Sequence, residues 1–573
     1  MWSGLRRKRL LWLSLSVVAS LAMASVVVRE GIGAYVVQDD ARQHVFWMQR
    51  FSDRDLFPND LIADYFQSVA PAGYTALYRA ASMLGLDPFS FNKLLPPILA
   101  VVATVFAFGA TVQLFPVPWA GFCTAIIFNL SLWMKDDLVS GTPRAFVYPL
   151  LTAFLYFLLR RKTWSVALSV VATGLFYPQY VLVEAGVLAL YGVEFPRFRL
   201  RRSAIALALV GCMAAVLVLL PFVFATNEFG PVVTLQQAQQ SADFYPKGRS
   251  AFFYSDSFYF WLSGDRSGLL PGRTPLVLWI GALFPVFLKF KKQFFDVRKL
   301  RQSQVFLQLL VSALSWFLLA HLFLFKLHLP SRYTHHSFRV LFAIASGITI
   351  VILVREIWRR SLQFKEVYRI LGQTISVALL FSVLASPLWL SDSFRTAYHE
   401  APEVELYDFF KTTPKDSVVA GIDGEVNNIP TFSQRSILVG MEYAIPYHLG
   451  YYETINKRAI DLIRAHYSSN LDFIQKIVKS YDIDYWVVAK NDFSEAYLEQ
   501  NYWLEKIEES KMKDDPLVRA VADVFESVKA GQMVALQSQL DRCSVFESNR
   551  FVVLEGNCIV GNSPQRHRGH GEF

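Results

Sequence analysis

Long apolar stretches, separated by short polar segments, fill the first two thirds of the chain. Stretches of roughly 15 to 22 mostly apolar residues are long enough to cross a bilayer. Their approximate centres lie near residues 19, 104, 126, 152, 170, 187, 213, 282, 315, 346 and 380. The pattern predicts a polytopic α-helical membrane protein with about eleven transmembrane helices. Tyr177, Pro178 and Gln179 interrupt the stretch 164–195, which favours a hairpin of short helices or a re-entrant pair there.

Clusters of basic residues between these stretches predict the topology. They occupy residues 6–9, 160–162, 197–202, 289–301 and 355–369. Basic loops stay in the cytoplasm, so we expect a cytoplasmic N-terminus, and an odd number of spans places the C-terminus outside. The small-residue pattern Ala22, Met23, Ala24 leaves signal-peptide cleavage open as an alternative, which would not change the sidedness of the later segments.

Acidic residues begin two loops that this topology places on the outer side. The first loop, about residues 30–92, contains Asp39 and Asp40, and the second reads KDDLVSGTPR and contains Asp136 and Asp137. Helical spacing within the first loop predicts two amphipathic helices that rest at the membrane surface. Their apolar positions are Val45, Phe46, Met48 and Phe51, then Tyr74, Leu77, Tyr78, Ala81 and Leu84.

The apolar stretches stop near residue 390. We therefore expect a transmembrane domain over 1–390 and a soluble extracytoplasmic α/β domain over 391–573. The segments SVVAGI, RSILVG and IDYWVVAK are typical of strands, while 460–478 and 515–529 show helical periodicity. A tail after Ser563 is predicted to be disordered. Cys543 and Cys558 lie 15 residues apart, and the sequence leaves open whether they are bridged.

Composition agrees with membrane insertion and excludes several classes of protein. The chain is 53% hydrophobic and only 18% charged. Its net charge of +9 is concentrated in the topology clusters, so we expect no nucleic-acid partner. Walker A, dinucleotide-binding, HExxH and CxxC motifs are absent from the sequence, which argues against nucleotide-driven transport.

The order of these features resembles the GT-C superfamily of integral-membrane glycosyltransferases, which includes protein O-mannosyltransferases, aminoarabinose transferases and the catalytic subunit of oligosaccharyltransferase. The resemblance rests on the acid pair that opens a long first outer loop, the second acidic loop, and a terminal outer domain with GYYETINKR and IDYWVVAK. It implies inverting transfer of a sugar from a polyprenyl-phosphate or polyprenyl-diphosphate carrier to a glycan, lipid or protein acceptor. The Trp-Trp-Asp motif is missing from the sequence, so sequon-directed N-glycosylation is not implied.

The resemblance also implies roles for the acidic residues. Asp39 or Asp40 corresponds to the family's catalytic carboxylate, which takes the proton of the acceptor hydroxyl; we favour Asp40 slightly, although either acid also suits a helix N-terminus. Asp136 and Asp137 correspond to a second acidic motif that holds Mg²⁺ or Mn²⁺ in the metal-dependent branch. A solvated turn between two spans is the alternative for that pair.

Cations near the outer face are candidates for binding the carrier phosphate, because a guanidinium group can donate two hydrogen bonds to the oxygens of one phosphate. The loop SRYTHHSFR supplies four of them and other outer loops supply three: Arg332, His335, His336, Arg339, Arg144, Lys247 and Arg249. Each is also interpretable as an interfacial anchor whose charge reaches the polar headgroups.

Two other functions remain open at the level of sequence. A lipid or glycan transporter (flippase) with an outer cargo-binding domain is the main alternative, although apart from Glu184 and His321 the central positions of the spans are nearly uncharged. A catalytically silent scaffold is the second. The short basic loops favour a bacterial plasma membrane, but an endoplasmic reticulum protein would obey the same charge rule.

Overall fold

The computed structural model describes residues 2–194, 199–200, 202–224, 227–501, 503 and 514–561. The chain divides into two compact units. The first comprises Met1–Ala41, Ala70–Ala225 and Asp256–His399, and the second comprises Arg42–Val69, Thr226–Ser255 and Glu400–Phe573. Besides the C-terminal region, the second unit thus contains part of the first outer loop and the segment Thr226–Ser255. The tail after Ser563 lies outside the described residues.

Every predicted apolar stretch contains a helix. The bounds are Trp2–Glu30, Pro88–Leu114, Pro118–Trp133, Val147–Leu159, Thr163–Phe176, Val181–Tyr191, Arg202–Phe224, Leu276–Leu283 followed by Phe284–Lys289, Gln304–Leu322, Ser331–Ser361 and Glu366–Leu390. Among the residues that the structure describes, six helices are long and apolar enough to cross a membrane by length and composition, and four shorter apolar ones have 10–17 residues. The protein is therefore a polytopic α-helical membrane protein. The count of eleven spans stays a prediction, because Val181–Tyr191 has only 11 residues.

The helix Ser331–Ser361 lies at the centre of the first unit. Of its most apolar 18 residues, 83% are buried inside the protein. In the helix region Glu366–Ser393, only 22% of the corresponding residues are buried. It packs closely against Pro118–Trp133, where a Cβ added at Gly347 would lie only 2.1 Å from Thr124 Oγ1. A larger residue at this crossing would push the two helices apart, since helices in a bilayer associate through such close contacts.

Buried polar side chains connect the N-terminal helix to its neighbours. Ser20 Oγ donates to Asn129 Oδ1 at 2.8 Å, and Asn129 Nδ2 donates to Thr104 Oγ1 at 2.8 Å. All three side chains are completely buried. Because hydrocarbon offers no competing partner, these hydrogen bonds hold the three helices in register.

The first outer loop forms short elements: the strand Val36–Gln38 and helices over Asp39–Val45, Phe46–Phe51, Leu61–Ser68 and Ala72–Met83. The expectation that Phe46 and Met48 rest on the membrane surface is wrong, because both are at most 1% exposed. The Phe46 ring packs at 5.3 Å from both Phe57 and Tyr443, within the second unit. Helical periodicity identified an apolar face but did not distinguish a protein core from a lipid surface.

The last helix in this loop, Ala72–Met83, also packs into the protein through its N-terminal half. Tyr74 and Tyr78 are fully buried, whereas Met83 and Leu84 at its end are 74% and 82% exposed. Only this end retains the exposed apolar character expected of a helix at the membrane surface.

The second unit contains a five-stranded mixed sheet. Its spatial order is Ser436–Ile437, Val418–Ala420, Tyr485–Ala489, Phe551–Glu555 and Ser544–Glu547. The first three strands are parallel and lie within the three segments predicted as strands, while the last two join antiparallel and were not predicted. The α/β character is confirmed.

Helices and one disulfide accompany this sheet. The principal helices are Val404–Thr412, Leu449–His466, Leu471–Ser480, Glu495–Gln500 and Pro516–Lys529. The periodic segment 460–478 is divided between two helices because the Asn470 side chain caps the second by accepting from the Asp472 and Phe473 N–H groups. Cys543 and Cys558 form a disulfide.

Candidate active site

Asp39 and Asp40 are the first two residues of a short helix that directly follows a strand. The Asp39 N–H donates to the Ala397 carbonyl at 2.9 Å, and the Ala41 N–H donates to Gln38 Oε1 at 3.2 Å. These two hydrogen bonds fix the junction of strand and helix. The acids therefore have defined positions at the start of the first outer loop.

The two adjacent acids face different partners. Asp39 Oδ1 lies 3.6 Å from His399 Nε2, and its side chain is 35% exposed. Asp40 Oδ2 accepts a hydrogen bond from Arg144 Nη2, and its side chain is 26% exposed. Asp40 is thus the member of the pair that joins the charged cluster formed with the second outer loop.

Arg144 brings carboxylates from both acidic loops together. In addition to Asp40, its Nη2 atom lies 3.0 Å from Asp136 Oδ2, and its Nη1 atom lies 3.3 Å from Asp137 Oδ1. The Arg144 side chain is only 15% exposed. One guanidinium therefore contacts three carboxylates in a largely buried setting, where charge-assisted hydrogen bonds are strong.

The sequence KDDLVSGTPR explains why the Arg144 side chain lies beside Asp136 and Asp137, which precede it in the same loop. Gly141 has a φ of +60°, a conformation that favours glycine. A Cβ there would lie 2.5 Å from Asn92 Nδ2, which itself donates to the Ser140 carbonyl at 2.9 Å. The turn ends at Pro143, which begins the next helix. A glycine turn followed by a proline start thus folds the loop back on itself.

Asp137 is the buried centre of this cluster, with a side chain only 1% exposed. It accepts a hydrogen bond from Tyr148 Oη at 3.1 Å, and Arg332 Nη1 and His336 Nε2 lie 3.6 and 3.8 Å from its oxygens. Burial alone would raise the pKa of the Asp137 carboxyl, but Lys135 and the neighbouring guanidinium groups hold that pKa well below its ordinary value. Asp137 is therefore an anion that holds several cations in place.

Lys135 and Tyr148 contribute to the cluster but were not identified from the sequence. Burial lowers the pKa of the Lys135 ammonium group, an effect that Asp137 opposes. Lys135 directly precedes the acid pair, and Tyr148 lies one helical turn after Arg144, so both sequence positions offered a signal. The prediction missed them because a lysine and a tyrosine at a membrane boundary are usually interfacial anchors.

The predicted SRYTHHSFR residues lie at the start of the central helix and differ in their surroundings. Arg332 is 18% exposed and points its guanidinium toward the cluster. His336 Nδ1 lies 2.8 Å from the Arg332 carbonyl, and its ring packs against Tyr148 and Tyr180. Both ring nitrogens of His335 are buried and lack a hydrogen-bond partner within the described part of the chain. Arg332 is thus the most accessible of the three.

Arg339 has a different environment from the other predicted phosphate ligands. It is fully buried, and its two Nη atoms donate to the carbonyl groups of Ser131, Gly272 and Arg273. A guanidinium that is enclosed by backbone carbonyls connects the helix end at Ser131 to the loop that carries Gly272. This geometry assigns Arg339 to holding backbone segments together.

Lys247 and Arg249 belong to the second unit, whereas the cluster around Asp137 belongs to the first. Arg249 Nη2 lies 2.8 Å from Glu442 Oε2 and also donates to the Glu442 carbonyl at 3.1 Å. Arg42 Nη2 lies 3.6 Å from the other Glu442 oxygen. Lys247 has a positive φ of 69° within a turn.

The carboxylates do not fit the predicted divalent-cation site. Asp40, Asp136 and Asp137 all direct oxygens to Arg144, and no group of three or more His, Cys, Asp or Glu side chains within the described ranges could hold a metal ion. A divalent ion would have to displace the guanidinium to gain oxygen ligands.

Comparison with known proteins shows similarity in structure only. No family model and no curated protein sequence match this chain. Crystal structures of the Archaeoglobus fulgidus oligosaccharyltransferase do match it. The structure tethered with an acceptor peptide containing the NVT sequon is 12% identical, with a TM-score of 0.53 over 89% of this chain and 72% of that chain. The apo structure is 12% identical, with a TM-score of 0.51 over 85% and 70%.

ArnT from Cupriavidus metallidurans bound to undecaprenyl phosphate aligns over 96% of this chain and 99% of that chain, at 13% identity and a TM-score of 0.43. Identities this low show the fold and not the reaction. The arrangement of apolar helices and a terminal α/β region that was predicted from the sequence is borne out by the two oligosaccharyltransferase structures. The protein has a GT-C-like fold.

Proposed function

We propose that the protein is a glycosyltransferase that moves a sugar from a polyprenyl-phosphate or polyprenyl-diphosphate carrier to an acceptor on the extracytoplasmic side of the membrane. The observation that carries the proposal is the cluster of Asp40, Asp136 and Asp137 with Arg144 and Arg332. It combines a candidate base with cations suited to a phosphate, in a chain with a GT-C-like fold.

Asp40 acts as the general base in this proposal. Its carboxylate takes the proton of an acceptor hydroxyl while the acceptor oxygen forms a bond to the anomeric carbon of the sugar. The bond from that carbon to the carrier phosphate breaks, and its electron pair leaves with the polyprenyl phosphate. Attack from the face opposite the phosphate inverts the anomeric configuration.

Arg332 and Lys135 bind the carrier phosphate and stabilise the negative charge that it gains as it leaves. The Asp137 carboxylate interacts with both cations and offsets their mutual repulsion. Because the cations are held in place before the substrate binds, little reorganisation is needed during the reaction. His335 and His336, at the same helix start, are candidates for further contacts to the carrier headgroup.

The acceptor is a glycan, a lipid or a protein, and the membrane is the bacterial plasma membrane in this proposal. The basic clusters support a cytoplasmic N-terminus and an outer C-terminal unit. Sugar transfer on the outer side agrees with a lipid-linked donor, because soluble nucleotide sugars are cytoplasmic while a lipid carrier can present its sugar on the outer face.

Reconstitution into vesicles with fluorescent polyprenyl-phosphate sugars, hexoses and pentoses in turn, tests the proposal. We expect release of polyprenyl phosphate together with glycosylation of an added acceptor mixture, and loss of both in the Asp40→Asn variant. Asp55→Asn is a matched control in the same loop, because the Asp55 side chain is 83% exposed. Movement of the intact lipid-linked sugar across the vesicle membrane without transfer would overturn the proposal in favour of a transporter.

A further inference from the structure

The guanidinium of Arg144 occupies the centre of a three-carboxylate set. Its Nη2 atom contacts Asp40 and lies 3.0 Å from Asp136, and its Nη1 atom lies 3.3 Å from Asp137. Carboxylate oxygens from separate loops that converge on one point are typical of a divalent-cation site. Here the central cation is part of the chain.

We propose that Arg144 is a built-in cation that takes the place of a divalent metal ion, so that the protein works without one. The catalytic role of Arg144 in this inference rests on the proposed function. Whether the three carboxylates bind a metal ion can be measured independently of that function. A guanidinium is charged at every physiological pH and forms paired hydrogen bonds to carboxylates. It thus holds Asp40 and the second acidic loop together permanently.

The local charges balance only when Arg144 is counted. Asp40, Asp136 and Asp137 face Arg144, Arg332 and Lys135, and Asp137 is almost completely buried. A divalent ion added to this set would create an excess of positive charge and would meet oxygens that already accept hydrogen bonds. Without Arg144, the same three carboxylates would carry an uncompensated negative charge that attracts a cation.

The cluster also retains bonding capacity for a ligand. A guanidinium has five N–H donors, and the three carboxylates occupy the Nη atoms. Arg144 Nε is buried without a hydrogen-bond partner within the described residues. A buried N–H group without an acceptor is costly in a finished core, so its presence indicates a site that a bound group completes. A phosphate oxygen of the carrier is an acceptor suited to the Nε–H group.

Binding of Mn²⁺, measured by electron paramagnetic resonance on the purified full-length protein, tests the inference without an activity assay. We expect no stoichiometric Mn²⁺ binding by the wild type and the appearance of one Mn²⁺ per protein in Arg144→Ala. The Arg144→Ala, Asp136→Asn double variant should lose that binding again. Mn²⁺ binding by the wild type, or its absence from both the wild type and the single variant, would overturn the inference.

Activity assays provide the second arm. Wild-type transfer should be unchanged by EDTA, whereas Arg144→Ala should lose about a hundredfold or more in kcat. Added guanidinium ion should restore part of that loss, because it refills the vacated position. EDTA-sensitive wild-type transfer would contradict the built-in cation. If the wild type transfers no sugar at all, the proposed function fails while the Mn²⁺ experiment still decides the role of Arg144.

Folding of the variants is checked by thermal unfolding in detergent. Arg144→Gln, which keeps more of the side-chain volume, replaces Arg144→Ala if the smaller variant does not fold, and it is expected to bind Mn²⁺ as well. The wild-type Mn²⁺ and EDTA measurements need no variant, and binding or inhibition in either one would contradict the inference.

Discussion

Asp40 and Arg144 form an ion pair that joins the start of the first outer loop to the end of the second. Asp39, its neighbour in sequence, faces His399 at 3.6 Å instead. This difference separates two acids that are equivalent as a sequence motif, and it favours Asp40 as the base.

We expect Asp40→Asn to lower kcat by about 10² to 10⁴-fold, because the amide cannot accept the acceptor's proton. Asp39→Asn should retain most of the activity. Steady-state transfer assays at saturating donor measure both, with Asp55→Asn as the surface control. The reverse order, with Asp39→Asn the more damaged variant, would assign the base to Asp39.

Arg332 is expected to contribute to binding of the lipid-linked donor. Arg332→Ala removes a charge-assisted contact to the carrier phosphate, and we expect the KM for the lipid-linked sugar to rise by about 10 to 100-fold. Arg332→Lys keeps the charge but not the planar fork, so it should fall between the wild type and the alanine variant. An unchanged KM in Arg332→Ala would place the phosphate elsewhere.

Arg339 is expected to support stability and not donor binding. Arg339→Met leaves the carbonyl groups of Ser131, Gly272 and Arg273 without their donor, which should cost more than about 2 kcal/mol of unfolding free energy. Thermal unfolding in detergent should show a clear decrease, while the donor KM of the folded fraction stays at the wild-type value. A raised KM at wild-type stability would support the prediction that Arg339 binds phosphate.

We expect the free energy of unfolding to depend on pH because of His328. Burial lowers the pKa of its imidazole to about 3, and Arg332 and Arg266 act in the same direction. The unfolded chain takes up a proton near pH 6.5 that the folded protein does not. The contribution to stability is therefore complete above about pH 6.5 and is lost progressively as the pH falls toward 3.

We expect His328→Gln to lose less thermal stability than the wild type between pH 7.5 and 5, since glutamine does not titrate. His399→Gln is a control, because its imidazole is more exposed, with 53% of the side chain accessible. Parallel pH curves for the wild type and His328→Gln would contradict the assignment.

The disulfide between Cys543 and Cys558 spans 15 residues of the second unit. Closing a loop of this length is worth about 3 kcal/mol in the chain-entropy model. Replacing both cysteines by serine should therefore lower the unfolding temperature, and a reductant should have the same effect on the wild type but none on the variant. Equal unfolding temperatures with and without reductant would show that the bridge contributes little.

Much of the fold followed from the sequence because its signals are local. The position of each apolar helix depends on the length of an apolar run, as for the stretch that contains Ser331–Ser361. The three predicted strands of the second unit depend on short β-branched runs. The strands Ser544–Glu547 and Phe551–Glu555 were missed, and their place in the sheet comes from tertiary pairing: Phe551–Glu555 pairs with Tyr485–Ala489, and Ser544–Glu547 pairs with Phe551–Glu555.

The sequence by itself determined which acids and cations lie at the predicted outer ends of the helices, since burying a long apolar run in a membrane leaves the polar loops at its ends. Only the tertiary structure decided how those residues pair. Arg144 faces Asp40, which lies 104 residues earlier, and Arg339 faces backbone carbonyls instead of the cluster. These contacts join residues more than 100 positions apart and depend on how separate helices pack, which no local pattern in the chain encodes.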